Sequence, residues 1–277
     1  MNENSHSANI EFGFMSRVTC TAHLGQAWQL RTPYEQHRTL WRLFADHDGR
    51  DFLFREEIPL RRSAGLPRRF LVVSARRPGA SAGMTVDTRD YAPQFAEGDQ
   101  LRFSLRLSVT SARALERPAT TDAPLLGRGK TVDPVADALA TVEPAAERRT
   151  LRRQWLLGDS TGHTSPHEAP LLVTRWLAPK LLRHGLSVDT EATRVVSYEP
   201  AMHQGRKSKD TITFSVAEFR GVVGVTDAKL AARAAFTGIG RGKSLGYGLL
   251  VFSRRNTSGV MPRSEMDDDE EEAPTRP

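Results

Sequence analysis

Cysteine is almost missing from this chain: a single one, Cys20, stands among 277 residues. One thiol cannot close an internal disulfide, so a disulfide-stapled scaffold is excluded and a reducing cytoplasm is the expected location. Long apolar runs are missing too. None approaches the roughly 20 residues that span a bilayer as a helix, so no membrane partner is expected. The opening MNENSHSANIEFGF lacks the basic-then-apolar order of a secretory signal. Acidic charge is scarce over most of the chain and gathered at its end. Residues 265–272 hold seven acids and no base, and without residues 265–277 the remainder carries 38 Lys+Arg against 26 Asp+Glu, a net +12. A body this basic points to a polyanionic partner, although solubility alone would also account for it.

What is present reads as two small units. Residues 1–13 are polar and aperiodic, a flexible extension, and MSRVTCTAHL then alternates as a first strand with Val18 and Cys20 on one side. TPYEQHRTLWRLF carries a helix start: Thr32 as N-cap, Pro33 at the first helical position, and Glu35 three residues on to close a capping box. FLFREEI, RRFLVVSARRP and LRFSLRLSVTS read as strands, with a weakly marked helix around Thr88 to Phe95. These place a first domain over 14–111 and a linker, rich in Arg, Pro, Gly and Thr, over 112–134.

A second domain is expected over 135–254, followed by an acidic disordered tail over 255–277. Its early part, DPVADALATVEPAAERRTLRRQWLLGD and APLLVTRWLAPKLLRHG, reads as helical. TRVVSYEP and TITFSVAEFRGVVGV follow as strands, TDAKLAARAAFTG as a short helix opening on Thr226 or Asp227, and YGLLVFSR as a last strand. Strand pairs occur without an intervening helix, which suits antiparallel units better than a parallel doubly wound sheet. The pattern predicts an α+β protein of two tandem ferredoxin-like (RRM-like, βαββαβ) domains with antiparallel sheets.

The stretch FTGIGRGKSLGYGLLVF, residues 236–252, packs five glycines with Arg241, Lys243 and Ser244. A Walker A loop would need a glycine five residues before Gly242, where Thr237 stands. The dinucleotide spacing fails as well, since Lys243 and Leu245 occupy the third glycine's place in the two possible registers. The stretch also follows a helix and opens a strand, the reverse of a P-loop. Glycine amides and basic side chains still suit a phosphate backbone, with Gly238, Gly240 and Gly242 bringing main-chain N–H groups near an anion. A tight helix-to-strand turn with its basic residues in water is the plainer reading of the same residues.

GIGRGKSLGYGLL resembles the C-terminal glycine-rich loop of the RAMP proteins, the repeat-associated CRISPR RNA-processing family. TPYEQHRTLWRLF, followed by RDFLFREE, resembles the CasE branch of that family, the repeat endoribonuclease of the type I-E interference system. The similarity covers residues 15–76 and 194–252 and is weak across 105–190. It implies the same two-domain fold and cofactor-free, metal-independent cleavage of CRISPR repeat RNA at the 3′ base of a hairpin. The 2′-hydroxyl would attack the adjacent phosphate, leaving a 2′,3′-cyclic phosphate. It also implies retention of the product among the other Cascade subunits by an enzyme that is a monomer when free. Tyr34 and His37, three residues apart on one helix face, match the family's catalytic pair. An imidazole with an ordinary pKa of about 6.5 serves as acid or base near neutrality, and which role falls to which residue stays open.

The segment HQGRKSKDTITF places Arg206, Lys207 and Lys209 near a β-hairpin tip, where the family inserts a hairpin into the RNA stem. A RAMP subunit that grips hairpin RNA without cutting it is the alternative; the intact Tyr34/His37 pair favours the enzyme. His163 and His167 are four apart but lie in a loop-like stretch without cysteine, so no metal site is expected there. His23 is expected near the active site, and His47, His184 and His203 at the surface.

Overall fold

Thr32 holds extended backbone and takes the N–H of Glu35 on its hydroxyl at 3.3 Å, while the Glu35 carboxylate takes the Thr32 N–H at 2.9 Å. This reciprocal box, with Pro33 behind it, starts helix α1 (Pro33–Trp41), as the sequence predicts. The computed structural model describes residues 12–21, 30, 32–44, 52–57, 67–109, 111–112, 131–132, 176–204 and 211–254. The extension before residue 12, the helical stretch expected over 135–175 and the acidic tail lie outside the described residues.

Strands β1 (Gly13–Cys20), β2 (Phe52–Glu57), β3 (Arg68–Ser74) and β4 (Met84–Tyr91) form one antiparallel sheet in the order β2-β3-β1-β4. Helix α1 crosses from β1 to β2 and lays Leu40, with Leu43 and Phe44 of the following 3₁₀ turn, on Val18, Phe54, Phe70 and Val72. The helix expected around Thr88 to Phe95 is absent: Thr88–Tyr91 belongs to β4, and residues 92–96 are irregular. Val86 and the threonines at 85 and 88 suit an edge strand, and β4 pairs with β1 along its whole length, Gly13 opposite Tyr91 and Cys20 opposite Met84. Its weak apolar contrast hid this pairing.

The second sheet runs β10-β5-β9-β8, built from β5 (Gln100–Val109), β8 (Leu186–Gln204), β9 (Thr211–Val225) and β10 (Leu250–Arg254). Helix α2 (Ala178–Leu182) precedes β8, and α3 (Ala228–Thr237), capped by Asp227, joins β9 to β10. Both sheets thus share the ferredoxin-like order, in an α+β fold. A small ladder of β6 (Ser111–Ala112) and β7 (Thr131–Val132) brackets residues 113–130. β5, which the sequence grouped with the first unit, is a central strand of the second sheet. Its alternation puts Leu101, Phe103, Leu105, Leu107 and Val109 under α2 and α3, and Arg102, Ser104 and Arg106 on the opposite face. No described helix is long and apolar enough to cross a membrane.

The two helix-free faces meet. Met15, Leu53 and Val73 of the first sheet pack against Leu249 and Phe236 of the second unit, forming a third core cluster between the sheets. Cys20 is fully buried under α1. Burial pushes its thiol up from 9.0 to about 11, with Arg68 pulling it down and Glu56 pushing it further up. The raised value stabilises the fold at low pH, and that contribution is lost as pH climbs from 9.0 through about 11. Cys20 should therefore resist a thiol-specific reagent at neutral pH and react fully once the chain is denatured. Rapid modification of the native protein would contradict this burial.

Candidate active site

Three aromatic rings hold His37. Its imidazole stacks on Phe52 at 5.2 Å and on Phe54 at 6.0 Å, both within 30° of parallel, and meets Trp41 edge-on at 5.3 Å. Phe52 and Phe54 project from alternate positions of β2, so the strand supplies a flat bed and α1 presents the ring to it. Tyr34, one turn earlier on the same helix face, is 40% exposed. The pair thus offers a phenol in water beside an imidazole of fixed orientation.

Beneath the helix lies a polar clamp that the sequence did not disclose. Gln36 is buried and donates from Nε2 to the Leu30 carbonyl and to Glu56 Oε2, both at 3.3 Å. Arg68 donates from Nε to Glu56 Oε1 at 2.8 Å and from Nη1 to the same Leu30 carbonyl. Glu56 is therefore shared between α1 and β3, and the chain entering the helix is tied to both. The available signal was a charge in the apolar phase of a strand: Phe52, Phe54 and Glu56 share one face of FLFREE.

The glycine-rich stretch comes to this bed from the second unit. Gly238 ends α3, Ile239 N–H donates to the Gly248 carbonyl at 2.9 Å, and Gly248 N–H donates to the Arg106 carbonyl of β5 at 2.8 Å. Between them Lys243–Leu245 form a 3₁₀ turn that touches α1 and β2. Gly246 has φ +81°, and a Cβ there would stand 3.1 Å from the Phe54 ring. At Gly248, φ +89°, a Cβ would collide with the Ile239 carbonyl. Positive φ thus favours glycine at both positions, and at Gly248 the close approach demands it. Phe54 consequently carries His37 on one side and the glycine turn on another.

The structure brings Tyr34, His37, Lys243 and Ser244 into one neighbourhood. Arg241 and Gly240 are exposed at the loop's outer edge, Gly242 opens the turn beside Tyr247, and Gly238 lies against Leu53. Arg206, Lys207 and Lys209 fall between β8 and β9, outside the described residues, as do His23, His47, His163 and His167.

His184, expected at the surface, is half-buried at the turn between α2 and β8. Burial holds its pKa below the ordinary 6.5, and the charges of Lys243, Arg183 and Arg233 lower it further. Its contribution to stability is present above 6.5 and lost as pH falls through the depressed value. A basic cluster thus continues from the glycine turn onto α3 and the end of α2. Lys243→Ala should raise the His184 pKa toward 6.5, read from its imidazole resonances in an NMR titration. An unchanged titration would remove Lys243 from that cluster.

No curated protein sequence matches the chain. Among solved structures, Thermus thermophilus Cse3 bound to an RNA representing a pre-cleavage complex is 22% identical, with TM-score 0.57, over 88% of this chain and 99% of that one. CRISPR endoribonuclease Cse3 bound to a 19 nt RNA is 20% identical, TM-score 0.55, over 87% and 98%. A chain of a CRISPR RNA-guided surveillance complex in a pre-nicking state is 18% identical, TM-score 0.54, over 87% and 100%. At these identities the likeness establishes the fold. The family itself follows from the sequence: the model described as CRISPR associated protein matches residues 14–254, from β1 through α1 and the glycine turn to β10, and the chain belongs to that family.

Proposed function

We propose that this protein is a CasE-type endoribonuclease that cuts CRISPR repeat RNA at the 3′ base of its hairpin. The observation that carries the proposal is the meeting of α1 and the glycine turn on Phe54. Internal attack on a phosphodiester requires a proton-transferring pair beside main-chain amides and basic side chains, and that meeting supports reading Tyr34, His37 and the glycine turn in those roles. Two structural neighbours are RNA-bound Cse3 and a third belongs to an RNA-guided surveillance complex, which supports an RNA hairpin and Cascade subunits as partners.

In the reaction the 2′-oxygen forms a bond to phosphorus while the bond from phosphorus to the 5′-oxygen breaks. One proton leaves the 2′-hydroxyl and another reaches the departing 5′-oxygen. Tyr34 and His37 divide those transfers, and His37 carries the larger share because imidazole exchanges protons near neutrality. Lys243, Ser244 and Arg241, with the amides around Gly240 and Gly242, hold the phosphate and offset the charge of the phosphorane. Arg206, Lys207 and Lys209 grip the stem through its backbone. The cut product stays bound, so turnover is slow, and the protein is a monomer before it joins its complex.

The test is incubation of the purified protein with its host's repeat RNA in EDTA, followed by mapping of the product ends. A 2′,3′-cyclic phosphate and a 5′-hydroxyl are expected. His37→Ala should lower the single-turnover rate by about a hundredfold or more while hairpin affinity stays within about twofold. Binding without cleavage by the unaltered protein would identify a gripping subunit instead. Wild-type rates in His37→Ala would remove the assignment of the site.

A further inference from the structure

Strand β2 has a second face. Phe52, Phe54 and Glu56 support α1, whereas Leu53, Arg55 and Glu57 take the opposite face, where Leu53 and Arg55 meet the second unit. Arg55 spans the gap: Nη1 donates to Ser104 Oγ of β5 at 2.8 Å, and Nη2 lies 3.7 Å from Glu218 Oε1 of β9. Both charged side chains are largely buried, Arg55 18% and Glu218 14% exposed. Burial disfavours the charged guanidinium, and Glu218 counters that effect. Arg220 donates to the same Glu218 oxygen from Nε and Nη2 at 2.9 and 2.7 Å, so the acceptor is oriented from its own strand.

Beside this contact the two units share an apolar cluster of Met15, Leu53, Val73, Phe236 and Leu249. Apolar packing is non-directional and tolerates sliding; a guanidinium hydrogen-bonded to Ser104 and paired with a carboxylate that is itself oriented does not. Two of the three strands that Arg55 joins, β2 and β5, also hold the glycine turn. Phe54, the residue before Arg55, meets Gly246, and Arg106, two residues after Ser104, accepts the Gly248 N–H.

We infer that Arg55 is a positioning residue: by locking β2 onto Ser104 and Glu218 it sets the register in which the glycine turn faces Tyr34 and His37. Its effect on cleavage rests on the proposed nuclease function; its effect on the turn does not. A displacement of about 1 Å between reacting groups costs about a hundredfold in rate, so a small slip at Arg55 reaches the chemistry without any direct contact to RNA.

The experiment compares Arg55→Gln, the milder Arg55→Lys and the Arg55→Gln/Glu218→Gln double variant with the unaltered full chain. Amide hydrogen exchange without RNA should quicken at Ile239 and Gly248 and stay unchanged at Val18 and Val72 of the first core. With hairpin repeat RNA, the Arg55→Gln single-turnover rate should fall about tenfold or more at an affinity within about twofold of wild type. The double variant should be no slower than Arg55→Gln, because both changes break one contact. Unaltered exchange at Ile239 and Gly248 would overturn the inference. So would a uniform rise in exchange through both cores in Arg55→Gln and Arg55→Lys alike, the mark of lost stability alone. If the unaltered chain cuts no repeat RNA, the nuclease reading falls, and the exchange pattern decides the role of Arg55 by itself.

Discussion

Six residues of β2, Phe52–Glu57, lie between everything that matters to the site, and the pleat of a strand makes that possible. Alternate side chains go to opposite faces, so one short segment packs against α1 with Phe52, Phe54 and Glu56 and against the second sheet with Leu53 and Arg55. The position of His37 relative to the glycine turn is then a property of one rigid strand rather than of a flexible joint between two units. Removing the alternation at any step would face a phenylalanine into the polar contact or an arginine into the core.

The site divides its labour by chemistry. In the proposed reaction, proton transfer falls to two side chains on a capped helix, where the imidazole is held by ring stacking and the helix by the Gln36–Glu56–Arg68 clamp. The proposal gives phosphate contact to a loop of main-chain amides and a few basic residues. Its glycines serve two ends: Gly246 and Gly248 permit close packing against Phe54 and Ile239, and the turn between keeps Lys243 and Ser244 at its surface. The plain turn and the phosphate cradle are thus compatible descriptions of one segment. His184, with its depressed pKa, adds a neutral imidazole beside the cations of Lys243, Arg183 and Arg233, where a protonated one would be repelled.

Local signals were legible in the sequence, and pairings across the chain were not. The capping box of Thr32 and Glu35 involves four consecutive residues, and the structure reproduces it. The strand character of residues 101–109 was equally plain from its period of two, but which sheet accepts the strand depends on α2, α3 and β9, distant in sequence. Thr88–Tyr91 reads as helix in the sequence because an exposed edge strand carries little apolar contrast. Tyr34 and His37 stood out by spacing and by resemblance, whereas Gln36, Glu56 and Arg68 became visible only when three elements closed around Leu30. Arg55 looked like any surface base, since nothing near it in sequence announces Ser104 or Glu218.

The central claim is that the phosphate to be cut lies between α1 and the glycine turn. Photocrosslinking tests it directly. A repeat hairpin carrying 4-thiouridine beside the scissile phosphate, with the attacking 2′-hydroxyl replaced by hydrogen, should bind and remain uncut. Mass spectrometry of the irradiated complex should then find adducts in the segments 33–41 and 238–249. Adducts lying wholly outside both segments would contradict the account.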